Sequence, residues 1–252
     1  MHKIYVLWAT PRSTSTAFEW MMRMRGDMAC FHEPFGEAWY MGDDARAPRL
    51  TKDSPRKAGL NFNSVLDKIT HAAENHPVFS KDMPQFTQHL WTAEFLDLFQ
   101  HSFLIRDPAK VLSSLQRSYE KSGDNEGFTA TEIGFEQQRR LFDLLAEKNC
   151  HPPVVIDSDD LLANPQRMVE SYCKAIGIPF IEKALSWTPG DRGEVLWYDS
   201  DDSIWHETLR NSDGLKPQPQ KIINLEDLPS KMTGLYDAFL PHYQHLYQYR
   251  LL

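Results

Sequence analysis

Between Thr10 and Thr16 the chain reads Thr-Pro-Arg-Ser-Thr-Ser-Thr, so four consecutive hydroxyl side chains (Ser13, Thr14, Ser15 and Thr16) follow the guanidinium of Arg12. This set suits the oxygens of a phosphate or sulfate, and each charge-assisted hydrogen bond of that kind contributes about 1.5–3 kcal/mol. The run Lys3–Trp8 (KIYVLW) before it reads as a buried strand, and Thr14–Met24 reads as a helix with Thr16-x-x-Glu19 as a capping box near its start. Open α/β sheets bind ligands at the carboxyl ends of strands, and a helix starting there adds unpaired N–H groups and the positive end of its dipole. An ordinary cap needs one hydroxyl, so the density of donors points to an anion site. The loop is not a Walker A loop, which needs G-x-x-x-x-G-K-[ST], because residues 9–25 contain no glycine and no lysine. A kinase would also place a magnesium carboxylate at a strand end. Asp157, after Val154-Val-Ile156, is available for that part, so phosphoryl transfer stands as a rival.

Arg106 ends a second apolar run, Ser102–Ile105, and so reaches the same sheet edge; Ser114 falls two turns into the helix that follows. An arginine and a helical hydroxyl at that separation suit a second phosphate. Three segments now stand together, and together they resemble the sulfotransferases that use 3′-phosphoadenosine 5′-phosphosulfate (PAPS). Thr10–Thr16 is similar to that family's 5′-phosphosulfate loop, with Arg12 where many members carry lysine. Phe103-Leu-Ile-Arg-Asp-Pro-Ala-Lys-Val-Leu-Ser-Ser114 is similar to its 3′-phosphate segment. Val155-Ile-Asp-Ser-Asp-Asp-Leu-Leu-Ala-Asn-Pro165, continuing to Gly177-Ile-Pro-Phe180, is similar to its acidic-Leu…Pro…Gly-hydrophobic-Pro segment, which is mostly structural. Order and spacing agree over residues 3–180, whereas residues 181–252 match poorly.

The resemblance implies that Arg12, Ser13, Thr14, Ser15 and Thr16 hold the 5′-phosphosulfate of PAPS, and that Arg106 and Ser114 hold its 3′-phosphate. Trp205–Gly214 resembles a late segment that folds over the nucleotide, which implies further donors from Arg210, Asn211 and Ser212. The implied reaction moves the sulfuryl group to a hydroxyl or amine of a small molecule and releases 3′,5′-adenosine bisphosphate (PAP). Arg12 is placed to stabilise the charge growing on the bridging oxygen, and fixed donors take the part magnesium plays in a kinase, so no metal is required. A non-catalytic PAP-binding module that kept the fold is a further rival.

The attacking group needs a base within about 2.6–3.2 Å. His32-Glu33-Pro34-Phe35 and Lys81-Asp-Met83 are the two clusters that follow strands. In the branch that resembles trehalose and carbohydrate sulfotransferases a glutamate stands where Glu33 does. Many other members carry Lys-Thr-His with the histidine as base, and Met83 occupies that histidine position, which raises Glu33. His32, with an ordinary pKa nearer neutrality, and Asp82 are the alternatives. Glu33 has a structural reading too, pairing with Arg12 to fix its rotamer, and Lys81 suits donor or acceptor oxygens. Trp39, Tyr40, Trp91 and Trp197 are candidates for an acceptor wall, although aromatics at such spacing are more often core.

These residues need a scaffold. Beyond the first strand and helix, Met28–His32 reads as a strand, 36–60 as irregular, and Phe62, Val65, Leu66, Ile69, Ala72 and Ala73 as one face of a helix. Val78–Lys81 reads as a strand, Gln85–Phe99 as a helix, Ser102–Ile105 as a strand, and 108–119 and Thr131–Lys148 as helices. Pro153–Ile156 reads as a strand, Asn164-Pro165 starts a helix that stops at Gly177, and a closing helix spans Ser230–Tyr249. Strand–helix alternation predicts an α/β fold, a central parallel sheet flanked by helices on both faces, in one domain over residues 1–252. The core would be 3–180, with 181–252 covering the nucleotide and shaping the acceptor side.

Composition bounds the partners. With 27 Lys+Arg against 35 Asp+Glu over 252 residues the net charge is −8, which argues against nucleic acid or heparin but not against a small anion in a local basic pocket. Three widely spaced cysteines, Cys30, Cys150 and Cys173, read as thiols of a reducing compartment. No apolar run reaches the roughly 18–20 residues of a membrane span, and Ile4–Ala9 is too short for a secretory signal core, so the expectation is cytoplasmic. DSDD occurs at 157–160 and 199–202, but counting from Asp199 a calcium loop would need Gly and Glu where Ile204 and Arg210 stand, so caps or solvated turns are expected. His242-x-x-His245 has no carboxylates beside it in sequence and is not read as a metal site. No pairing motif indicates an oligomeric state.

Overall fold

A computed structural model describes residues 1–48, 51–122, 128–190, 195 and 203–252. Its centre is β1 (Ile4–Ala9), every residue of which is buried. Side chains alternate across a strand: Ile4, Val6 and Trp8 enter one core cluster, and Tyr5, Leu7 and Ala9 enter another. A strand apolar on both faces must be covered on both, as in parallel sheets with helices above and below. The sheet meets that demand with five parallel strands in the order β2 (Ala29–His32), β3 (Val78–Asp82), β1, β4 (Phe99–Ile105), β5 (Val154–Asp157).

From β1 the chain moves to β2 and β3 on one side, then crosses to β4 and β5 on the other. The crevice where the winding reverses is where such sheets bind ligands, outside the carboxyl ends of the strands. Five residues reach that edge: Thr10 after β1, Glu33 after β2, Met83 after β3, Arg106 after β4 and Ser158 after β5. α1 (Ser15–Met24) follows β1. α6 (Pro108–Ser122) follows β4, with proline in its first turn as expected. α9 (Ser158–Ala163) follows β5 and is capped by Asp157, which accepts from Asp159 N and Asp160 N. α10 (Pro165–Ile176) is capped by the Asn164 side chain and ends at left-handed Gly177.

Several element boundaries differ from the sequence reading. The segment read as irregular from residue 36 begins inside a helix, α2 (Pro34–Met41), ahead of α3 (Phe62–Asn75). The helix read over 85–99 is two short ones, α4 (Pro84–Thr87) and α5 (Ala93–Leu96), with a 3-10 turn at Gln88–Leu90. The Thr92 hydroxyl starts α5 by accepting from Phe95 N, and Phe99, Gln100 and His101 pair with Ile4, Tyr5 and Val6 in the sheet instead of continuing a helix. The helix read over 131–148 breaks at Gly134 (φ 80°) into α7 (Ala130–Ile133) and α8 (Phe135–Asn149). Gly134 is favoured by its left-handed backbone, and a Cβ there would also press on the Gln85 side-chain amide.

After α11 (Ser203–Arg210), α12 (Ser230–Tyr247) returns to the body of the molecule. The chain behind it donates from Leu251 N to Val155 O at 2.9 Å, so the last turn lies against the β5 edge. The whole is one α/β domain with the sheet flanked by helices. No helix among the described residues is long and apolar enough to cross a membrane.

Candidate active site

The loop from Thr10 to Thr16 takes its shape from two residues in the left-handed region, Arg12 (φ 61°) and Thr14 (φ 73°). Neither is glycine, so each conformation costs roughly 1–2 kcal/mol. Polar contacts hold it. Arg106 Nη1 donates to the Arg12 carbonyl at 2.6 Å, Ser13 Oγ donates to Thr10 O at 2.7 Å, and Thr14 Oγ1 meets Ser158 Oγ at 2.7 Å. α1 then starts at Ser15 with no side-chain cap and no acidic residue in its first turn. Its leading N–H groups and dipole therefore face the crevice. The expected Thr16–Glu19 capping box does not form, because Glu19 is fully buried and bonded elsewhere.

Arg12 bridges the two basic elements of the sequence. Its Nε donates to Ser114 Oγ at 3.0 Å, across 102 residues of chain. Burial, with Arg106 and Arg117 nearby, pulls its pKa down to about 10, which leaves it charged at neutral pH. Arg106 is likewise lowered by burial, and its Nε is buried with no hydrogen-bond partner among the described residues. An unmatched charged donor costs about 1–3 kcal/mol or more, which an anionic ligand would recover.

On the other side of β1 the charged side chains gather around Lys81 and Glu19. Glu33, left-handed at φ 41°, is the N-cap residue of α2 and forms an ion pair with Lys81 of β3. Lys81 is fully buried, and its Nζ also approaches Thr16 Oγ1 (3.5 Å) and Glu19 Oε2 (3.9 Å). Glu19 also takes His32 Nδ1 at 2.6 Å and Arg23 at 2.8 Å. Burial alone would raise the Glu19 carboxyl, but His32, Lys81 and Arg23 hold it below the usual range. Loop, α1 N-terminus, Glu33, His32, Arg106 and Ser114 all line one cleft of about 820 Å³.

Residues 2–244 match the sulfotransferase domain family. The chain belongs to that family. Branched-chain-amino-acid aminotransferase-like protein 2 of Arabidopsis thaliana is 25% identical over 244 residues, covering 94% of this chain and 41% of the relative. Sulfotransferase ppzF of Metarhizium rileyi is 27% identical over 154 residues, 55% of this chain and 45% of the relative. The chain thus spans less than half the length of these curated relatives. Among solved structures, mouse sulfotransferase SULT7A1 complexed with PAP superposes with a TM-score of 0.57 at 7% identity, over 98% of this chain and 89% of that one. The sulfotransferase domain of a Synechococcus olefin synthase gives 0.52 at 15% identity, over 95% and 94%. Both share the fold.

Within this sulfotransferase cleft some expectations need correction. Asp82, a candidate base, is fully buried and does not line the cleft; its oxygens accept from Phe35 N and Met83 N, both at 2.9 Å, and tie α2 to β3. Burial pushes its carboxyl well above the usual range. Of the late segment, Ser212 reaches the cleft but accepts from Trp187 Nε1 (3.2 Å) and donates to Leu209 O (2.6 Å), while Arg210 and Asn211 do not line it. Ser13 and Ser15 line the cleft but are buried, the Ser13 hydroxyl being spent on the loop itself. The Asp157 carboxylate, the magnesium ligand of the kinase reading, is filled by Asp159 N, Asp160 N and Tyr243 OH.

Tyr40 lines the cleft, Trp39 is core, and Trp91 bonds to Thr87 Oγ1 at 3.1 Å. Trp197 and the second DSDD run up to Asp202 lie outside the described residues. His245 is paired with Asp143 at 2.6 Å. His206 of α11 was not singled out by sequence. It lines the cleft with its ring centroid 6.0 Å from that of His32, and burial, with His32, Lys81 and Arg12 nearby, holds it neutral. Its only sequence signal was its place in the segment resembling a nucleotide cover.

Proposed function

We propose that this sulfotransferase takes PAPS as donor and transfers its sulfuryl group to a hydroxyl or amine of a small molecule, releasing PAP. The observation that carries the reading is the Arg12–Ser114–Arg106 junction. The two segments read from sequence as anion sites touch there, with the Arg106 Nε buried beside them and without a hydrogen-bond partner among the described residues. Such a junction suits a donor with two anionic ends. The α1 N-terminus and the hydroxyls of Thr14 and Thr16 would take the 5′-phosphosulfate, and Arg106 with Ser114 the 3′-phosphate.

Glu33 would accept the acceptor's proton. The acceptor atom then bonds to sulfur as the bond from sulfur to the phosphate oxygen breaks, and the electron pair stays on PAP. Arg12 and Lys81 would stabilise the charge that develops on that oxygen, a role for fixed donors in an enclosed site. His32, held by Glu19, serves as support for this arrangement in our reading. Residues 1–252 would act as one catalytic unit without nucleic-acid or membrane partners. Cys30, Cys150 and Cys173 as free thiols and the net charge of −8 agree with a cytoplasmic enzyme acting on small molecules.

Thermal-shift titration with PAP against ATP-magnesium tests the donor. PAP at a hundredfold excess over its Kd should add about 2.7 kcal/mol of stability. Stabilisation by ATP-magnesium alone would favour the kinase reading, and PAP binding without turnover on any acceptor would favour the non-catalytic module.

A further inference from the structure

We infer that Glu19 is a positioning residue of this site, sharing the charge of Lys81 so that Glu33 is left able to take the acceptor's proton; this rests on the role proposed for Glu33 above. On α1, Phe18, Trp20, Met21 and Met22 are buried in the core, and Glu19 is buried with them. It has no exposed surface and does not line the cleft. A carboxylate in such a place costs free energy that an apolar side chain would not, so what it touches bears on what it does.

Both of its oxygens are engaged. Oε1 accepts from Arg23 Nε, one turn along α1, at 2.8 Å. Oε2 meets His32 Nδ1 at 2.6 Å and lies 3.9 Å from Lys81 Nζ. Arg23 and His32 thus clamp the carboxylate from two sides and aim it at Lys81. The Lys81 side chain is fully buried and stands between two carboxylates, Glu19 in the core and Glu33 at the cleft wall. An ammonium near a carboxylate favours its charged form. Lys81 facing Glu33 without the charge of Glu19 would hold that anion more firmly, and Glu33 would take a proton less readily. Shared with Glu19, Lys81 anchors Glu33 beside the cleft at a smaller cost to its basicity.

Glu19→Gln keeps the shape and removes the charge. It should lower kcat about ten-fold or more, and kcat/KM by about the same factor, with PAP affinity by calorimetry no weaker than in the wild type. Glu19→Asp should restore part of kcat. In crystals of the Glu19→Gln protein, Lys81 Nζ should stay with Glu33 and draw away from residue 19, beyond the native 3.9 Å. Lys81→Met removes the cation through which Glu19 acts, so adding Glu19→Gln to it should cost less than about two-fold more in kcat. That double variant removes both members of a buried pair, so it also serves if Glu19→Gln alone does not fold. Wild-type kcat in a folded Glu19→Gln protein, a loss lying wholly in KM, or a full ten-fold loss on top of Lys81→Met would each overturn the assignment. A wild type that binds PAP but turns over no acceptor would strike the proposed reaction instead. The crystals would then still decide this inference, since an unmoved Lys81 overturns it.

Discussion

The two flanks of β1 arrange their charged side chains differently. On the β3 side, Lys81, Glu33, Glu19, His32 and Arg23 form a closed web in which every cation meets a carboxylate. On the β4 side, Arg12 is held by a hydroxyl and faces Arg106 and Arg117, and Arg106 is held by a backbone carbonyl. Asp107, Asp157 and Asp159 act on Arg106 from nearby, yet its Nε is buried with no hydrogen-bond partner among the described residues, a cost that an anionic ligand would offset. In our proposal the web around Glu19 serves proton transfer, and the cationic flank, so called for Arg12, Arg106 and Arg117, holds the anionic ends of the donor.

Substitutions should separate the two flanks, with the largest effect at Glu33. Glu33→Gln should cut turnover about 10²–10⁴-fold by removing the proton acceptor, with PAP affinity within about two-fold; full activity in rapid-quench assays would move the proton to His32. Arg12→Ala should lower kcat about 10²-fold, more than it weakens PAP. Equal losses in the two measurements would make Arg12 a ground-state binder only. Arg106→Ala should leave kcat at saturating donor nearly intact and weaken PAP about 10–100-fold by calorimetry. Unchanged affinity would remove the β4 flank from donor binding.

The smallest effect on turnover concerns Asp157, at the far end of the cationic flank. Burial, with Asp159 nearby, pushes its pKa up to about 6. Its folded value exceeds its unfolded one, so between roughly pH 4 and 6 the folded state holds more protons and this group's contribution falls as pH rises. Asp157→Asn keeps a cap-forming side chain and removes the titration. The difference in stability between wild type and variant, from denaturant melts, should therefore change across pH 4–6 by at most about 2–3 kcal/mol and be flat above. His101, whose pKa burial lowers to about 4, titrates in an overlapping window with the opposite sign, so the difference and not the wild-type curve isolates Asp157.

Much of this site is legible in sequence because its signals are local. A strand, a hydroxyl-rich turn and a helix follow one another within residues 4–24, and Arg106 with Ser114 lie on one strand-end and the helix it leads into. Charge pairing was less legible. Glu19 looked like a capping residue because a helix start normally uses one, and tertiary burial beside Lys81 and His32 outweighed that local preference. Asp82 looked available because it ends a strand, but Phe35 N of α2 takes one of its oxygens and Met83 N takes the other. His206 carried no local mark, since its role comes from α11 lying across His32.

The parallel α/β scaffold was written in the sequence, through apolar strands that need cover on both faces, and the density of donors at Thr10–Thr16 marked that loop as the candidate anion site. Which charged side chains meet one another came from the tertiary structure. The contacts of these charged groups, such as Arg12 with the Ser114 hydroxyl 102 positions away, depend on strand order and burial, which no local pattern encodes.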